Sequence, residues 1–250
     1  MSSTRGLVIG DPTATRAEVV ERLVETEDIV AESAAPGDRP WDDDTDDPDF
    51  VFAVGQSGLH ALAQWPAGSE APVFPIAIDG DRYGTPAASL AAAAEACATG
   101  DVVTVAHPVL HVDIAGETAG RSIADVTLLT TEPARISEYA VGTPDGWLDT
   151  VRADGIVTAT PIGSTGYARA AGGPQLAPGT GLVTVPISPY TMHAHPWVLR
   201  PPISLSVERD EAAVSLRLDG DVVRPVPTGE RLTVRVGHEL QFVPPQTIRE

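Results

Sequence analysis

Near residue 101 the rhythm of apolar residues changes, and that change constrains the fold more than any other feature of the sequence. Before it, short apolar runs alternate with helical periodicity. "GLVIG" (6–10), "FVFAV" (50–54) and "VFPIAI" (73–78) read as buried strands. Between them "TRAEVVERLVETEDIVAE" places Val19, Val20, Leu23, Val24 and Val30 on one helical face, with Thr15 as its expected N-cap. "LHALAQW" reads as a shorter helix, and "AASLAAAAEACATG" as an alanine-rich one. Strand and helix in alternation imply a parallel sheet. After residue 101 the segments are short and β-like, among them "VLHVDIA", "IADVTLLTT", "ISEYAV", "DGIVTAT", "GLVTVPI", "ISLSVE", "AVSLRLDGD" and "RLTVRV", broken by Gly, Pro and Asp turns. The expected architecture is α/β plus β: a Rossmann-like α/β domain over residues 1–100, then a β-sandwich domain over 101–250 whose last strand or tail is free to return to the first.

Composition narrows the function. The 250 residues carry 35 Asp and Glu against 16 basic residues, all of them arginine, for a formal charge of −19. Such a field repels a phosphate backbone, so no nucleic-acid partner is expected. Acid excess without lysine suits a salt-rich cytosol, where a screening length of about 3 Å at 1 M makes self-repulsion tolerable, and a halophilic source is expected. The acidic stretch "APGDRPWDDDTDDPDF" (35–50) reads as a solvated surface segment. One cysteine, Cys97, excludes an intrachain disulfide and reads as a small core side chain. With neither a secretory signal pattern nor an apolar run near the roughly 20 residues of a membrane span, a cytoplasmic protein without a membrane partner is expected.

The densest chemistry is "TPIGSTGYARAAGGP" (160–174). Gly163 and Gly166 allow tight turns and close approach of backbone to a ligand, while Ser164, Thr165 and Tyr167 offer hydroxyls for ribose or phosphate oxygens. A helix is expected to start near Ser164, its free N–H groups favouring an anion. With its flanks, "DGIVTATPIGSTGYARAAGGP" resembles the dinucleotide-binding segment of NAD kinases, DGL-I-V-S-TPTGSTAY-S-x-S-A-GGP. "PISPYTMHAHPWVLRP" (186–201) and "LDGD" (218–221) are similar to later motifs of that family. The resemblance implies phosphoryl transfer from ATP, brought with Mg²⁺, to the 2′-hydroxyl of the adenosine ribose of NAD, in a protein that self-associates as a homo-oligomer. It implies that Asp154 faces the nicotinamide end, that Thr165, Gly166 and Tyr167 line the dinucleotide pocket with Ala124 and Asp125, and that Gly163 and Ser164 meet phosphate. Within the motif, Ile162, Gly166 and Ala168 replace the family's Thr or Ser, Ala and Ser.

The family's other signature, GGDG, supplies glycines that cradle ATP phosphates and an Asp that takes the proton from the attacking hydroxyl. At the matching place, after "FVFAV", this chain reads Gly55-Gln56-Ser57-Gly58. Gly55, Gln56 and Gly58 are the expected phosphate contacts, and Ser57 stands where the base should be. The family's Asn-Glu pair is Ala124-Asp125 here, and its IN-x-G turn is Ile78-Asp79-Gly80. Asp125 or Asp79 are the carboxylates available as substitutes. Three readings follow: a NAD kinase, a relative that binds NAD, NADP or another nucleotide without turnover, and, ranked last, a lipid or alcohol kinase of the wider superfamily. GQSG is a poor nucleophile elbow, because Leu59 stands where a small residue is needed. A P-loop requires lysine, and Gly10 does not open a G-x-G-x-x-G. His193 and His195 would share a strand face but lack nearby ligands, and His107 and His111 are too far apart on a strand to share an ion.

Overall fold

The computed structural model describes residues 4–25, 29–36, 38, 48–65, 69–76, 84–85, 89–100, 102–132, 135–191 and 194–244, with backbone alone at 14, 91, 94, 97 and 98. The expectations for Asp79, Gly80, His193, the Cys97 side chain and most of the acidic stretch fall outside the described residues. The chain divides into two compact units, one formed by Met1–His107 with Glu239–Glu250 and the other by Pro108–His238.

In the first unit, β1 (Thr4–Gly10) leads into α1 (Ala14–Val24), followed by β2 (Ile29–Ala34), β3 (Phe50–Val54), α2 (Gly55–Ala61), a 3-10 turn at Leu62–Gln64, β4 (Pro72–Ile76) and α3 (Leu90–Thr99). The strands run parallel in the order β2-β1-β3-β4, as the strand and helix alternation requires. Gln241 and Phe242, the end of the final strand, lie parallel to Pro72 and Val73. The first helix differs from the sequence expectation at both ends. Thr13, not Thr15, is its N-cap, held extended after Pro12 with its hydroxyl accepting from the Arg16 N–H at 3.3 Å. The helix stops at Val24, and the residues beyond it form β2, which the helical periodicity had absorbed; Val24 and Val30 are exposed at 61% and 47%. Val19 and Leu23 do face the core, with Val8, Phe50, Phe52, Phe74 and Leu90. The Phe52 and Phe74 rings stack at 4.9 Å, and each buried Phe of this kind stabilises the fold by about 1.5–3 kcal/mol.

The second unit is a β-sandwich. Its elements are β5 (Val105–Ile114), β6 (Glu117–Ser122), β7 (Asp125–Thr130), β8 (Ser137–Thr143), β9 (Gly146–Ala153), β10 (Gly155–Ala159), a 3-10 turn at Gly163–Thr165, α4 (Tyr167–Ala170), β11 (Leu182–Ile187), β12 (Trp197–Leu199), β13 (Ile203–Arg209), β14 (Val214–Leu218), β15 (Asp221–Pro225) and β16 (Arg231–Phe242). One antiparallel sheet has the order β12-β11-β10-β7-β14-β15; in the other, β16, β13, β8 and β9 are neighbours, with β5 on β16 and β6 on β5. Alternating side chains of both sheets meet in one core that includes Val126, Leu128, Ile156, Leu216, Leu110, Tyr139, Val141 and Leu205. The opposite face of the six-stranded sheet carries a second cluster, where Val157, Ala159, Val183 and Val185 pack under Ala168 and Leu176 of the glycine-rich segment. This face positions the candidate site.

Candidate functional site

The site is built around a tight turn. Asp219 and Gly220, with φ of +52° and +91°, close the hairpin between β14 and β15 in the mirror-image geometry that the D-G pair favours. There the Asp219 carboxylate accepts four hydrogen bonds: from Ser122 Oγ at 2.7 Å and from the backbone N–H groups of Ile123, Ala124 and Asp125 at 3.1, 2.8 and 3.1 Å. One side chain therefore fixes the whole loop entering β7. The same loop is clamped from the other side by Thr160, whose N–H donates to the Ala124 carbonyl at 2.9 Å and whose hydroxyl lies 2.8 and 3.2 Å from the Ile123 and Ala124 carbonyls. Contact here is close enough to exclude any side chain at Gly163, where a Cβ would stand 2.0 Å from the Ala124 oxygen. The glycine-rich segment and the Ala124-Asp125 pair are thus one rigid assembly.

The same packing engages the two residues expected at phosphate and corrects the expected helix. Gly163 donates its N–H to Thr160 Oγ1 at 3.3 Å, and Ser164, fully buried, donates its hydroxyl to the Pro161 carbonyl at 2.6 Å while accepting from the Leu176 N–H at 2.9 Å. These hydrogen bonds hold the loop together. The helix expected near Ser164 is a 3-10 turn followed by the four residues of α4, so no extended helix aims its N-terminus at an anion. Ile162 and Ala168 are buried, so the hydroxyls lost there are replaced by apolar packing.

What the assembly presents outward is a mixed cluster. Tyr167 is 41% exposed, and desolvation holds its hydroxyl above the usual phenol range, with the charge of Arg217 countering the rise and those of Asp125 and Asp154 adding to it. The Asp125 carboxylate accepts from Thr127 Oγ1 at 2.9 Å. Asp154 is fixed through its backbone: its N–H donates to Ile187, and its carbonyl accepts from Thr130 N–H at 2.9 Å and from the buried Tyr139 hydroxyl at 3.2 Å. Tyr139 in turn shares hydrogen bonds with Thr130, which pairs with Ser137, and burial raises its ionisation. Thr165 donates to the Ile162 carbonyl at 2.8 Å and keeps its lone pairs available. Gly166 links the 3-10 turn to α4, beside Tyr167.

The first unit holds the other predicted residues. Gly55 begins α2 with φ of +69°, Gln56 is exposed, and Gly58 packs so tightly under β1 that a Cβ would lie 2.4 Å from the Ile9 oxygen. The Ser57 hydroxyl accepts from the Asp11 N–H at 3.3 Å, which joins the loop ends of β1 and β3.

Residues 123–244 match the model of the ATP-NAD kinase C-terminal domain. This segment belongs to the NAD kinase family. An NAD kinase of Methanosarcina barkeri is 37% identical over 106 residues, 40% of this chain and 38% of that protein. An NAD kinase of Methanopyrus kandleri is 27% identical over 167 residues, 65% of this chain and 60% of its own length. The matched segments thus span less than two thirds of these relatives. Across 98% of the chain the fold is that of an NAD kinase from Archaeoglobus fulgidus solved with ATP, at 21% identity and a TM-score of 0.76. It also resembles yeast NADH kinase solved with NADH, at 15% identity and a TM-score of 0.74.

The NAD kinase segment contains Ala124, Asp125, Asp154, Gly163, Ser164, Thr165, Gly166 and Tyr167 but not Gly55–Gly58. Sequence reading missed Asp219 as the organiser of the loop, Thr160 as its clamp, Tyr139 beneath Asp154, and Arg217. The aspartate of "LDGD" was visible as a turn, and its reach to residues 122–125, almost a hundred positions away, was not.

Proposed function

We propose that this chain transfers the γ-phosphoryl group of ATP to the 2′-hydroxyl of the adenosine ribose of NAD, giving NADP. The observation that carries the reading is the rigid joining of the glycine-rich segment to the Ala124-Asp125 loop through Asp219 and Thr160, within the stretch that matches the NAD kinase family. In this reading Thr165, Gly166 and Tyr167 line the dinucleotide site, Ala124 and Asp125 meet the ribose, and Asp154 faces the nicotinamide end. The Gly55–Gly58 turn takes the ATP phosphates, with Gly55, Gln56 and Gly58 contributing backbone. No group of three His, Cys, Asp or Glu among the described residues is arranged to hold a metal, so Mg²⁺ is assigned to the ATP phosphates. The test is NADP formation from NAD, ATP and Mg²⁺ in concentrated KCl, beside the Ser57→Asp variant. Absence of product from both, with no binding of either nucleotide, would overturn the reading.

A second reading has a specific observation in its favour. Ser57 occupies the place of the family's aspartate, and its hydroxyl serves as an acceptor for Asp11, so the turn lacks its base. A protein that binds NAD or NADP as a sensor or partner subunit would keep the second unit's site and make no product. Product from Ser57→Asp but not from the natural chain marks this case. The acid excess without lysine supports a halophilic, cytoplasmic setting, and a homo-oligomer is the proposed assembly. Among the described residues no helix is long and apolar enough to cross a membrane.

A further inference from the structure

One arginine on the site's face is unaccounted for. Arg217 stands on β14 in register with Thr127 of β7, two residues before Asp219. Alternate residues of a strand share a face, so Arg217 lies on the side that carries Thr127 and Asp125, which are themselves hydrogen-bonded to each other. Its Nε is buried and has no hydrogen-bond partner, and no ion pair among the described residues uses its guanidinium. In a chain where acidic residues outnumber arginines by 35 to 16, a half-buried arginine whose buried Nε has no partner is an incomplete arrangement. Its charge nevertheless reaches the Tyr167 hydroxyl, where it opposes Asp125 and Asp154.

We infer that Arg217 binds the phosphate on the 2′ oxygen of the dinucleotide, an inference that rests on the NAD kinase reading of this same site. In nucleotide sites generally, a carboxylate takes the ribose hydroxyl and a neighbouring arginine accommodates a phosphate in its place. Asp125 and Arg217 supply both halves of that pair on one sheet face. A newly attached phosphate would be repelled by Asp125 and Asp154. A cation on the same face offsets that repulsion, and the planar donors of arginine match phosphate oxygens. The chain therefore holds NADP more tightly than NAD.

Isothermal titration of NAD and NADP into the natural chain, Arg217→Leu and Arg217→Lys, in one KCl buffer, tests this. The natural chain is expected to bind NADP at least about tenfold more tightly than NAD, the increment of one charged hydrogen bond. In Arg217→Leu the two affinities converge while that for NAD stays within about twofold, and Arg217→Lys lies between. Arg217→Leu melts no lower than the natural chain, because it removes an unsatisfied donor. A preserved preference in Arg217→Leu, or equal loss for both ligands, overturns the inference and leaves the NAD kinase reading intact. Failure of the natural chain to bind either ligand overturns that reading and the inference with it.

Discussion

Truncating Asp219 to alanine removes the acceptor shared by the N–H groups of Ile123, Ala124 and Asp125 and by Ser122 Oγ, which retains the Asp125 carbonyl at 2.9 Å. A hydrogen bond to a charged group contributes about 1.5–3 kcal/mol. The four share one carboxylate and are partly exposed, so the combined loss is about 3–5 kcal/mol rather than their sum. At roughly 2–4 °C per kcal/mol for a chain of this size, the melting temperature falls by about 10 °C. Asp219→Asn is the discriminating control. Asparagine tolerates the left-handed backbone at φ +52°, keeps the oxygen that receives Ser122, Ala124 and Asp125, and replaces only the one facing Ile123. Its cost is about 1–2 kcal/mol. Thermal melts with and without saturating NADP measure both effects, and the ligand-induced rise should vanish in Asp219→Ala and persist in Asp219→Asn. An alanine variant that melts within about 2 °C of the natural chain, or an asparagine variant as damaged as the alanine one, would refute the role given to this carboxylate.

Other perturbations test neighbouring links. Gly163→Ala must push the Ala124 carbonyl away by about 1 Å, because its Cβ would otherwise stand 2.0 Å from that oxygen; overpacking of this kind costs about 1–3 kcal/mol, and urea titration should show it together with weakened NAD binding. Desolvation first, and then Arg121 and Arg235, hold the His111 imidazole below its ordinary 6.5, Asp113 opposing them. Below pH 6.5 the unfolded chain takes up this proton before the folded one does, so its contribution is full above 6.5 and is lost as the pH falls. His111→Phe should flatten the melting temperature measured from pH 8 to pH 5, and an unchanged slope would remove His111 as the cause. Asp113, paired with Arg235 Nε at 2.9 Å, has its carboxyl held below 3.8, so its contribution is lost only in stronger acid.

The parts of the fold legible in the sequence were those with a buried face. "FVFAV", "DGIVTAT" and "GLVTVPI" became β3, β10 and β11, wholly buried, and their apolar runs made them visible. β6, β9 and β15 were missed because they are hairpin partners with little or no buried face; all five residues of β15 are exposed. Their pairing is set by neighbouring strands and tight turns, which leave no hydrophobic alternation to read. The same division runs through the site. Backbone-forming residues of the glycine-rich segment announced themselves by composition, whereas Asp219 and Arg217 are placed by cross-strand register, a long-range property that one sequence does not display. Ser164 shows a further long-range effect: its hydroxyl is hydrogen-bonded to Pro161 and Leu176 once the loop folds, a role its motif does not announce.

In the proposed kinase, binding and turnover rest on different parts of the chain, and their magnitudes differ. Correct positioning of two reactants supplies about 7–11 kcal/mol of a barrier, whereas a general base supplies 10²- to 10⁴-fold, about 3–5 kcal/mol. The second unit fixes the proposed dinucleotide site mainly through backbone groups, a hydroxyl donating to carbonyls and N–H groups to a carboxylate, so substitutions such as Ile162 and Ala168 leave its frame in place. The loss at Ser57 removes only the smaller contribution, since phosphoryl transfer depends mainly on positioning and charge. A kinase with this sequence should therefore be slow rather than inert. Ser57→Asp should raise NADP formation by a factor within that 10²–10⁴ range, because the new carboxylate enters where the serine oxygen already receives the Asp11 N–H. An equal rate in both proteins would mean that another carboxylate, such as Asp125, already takes the proton.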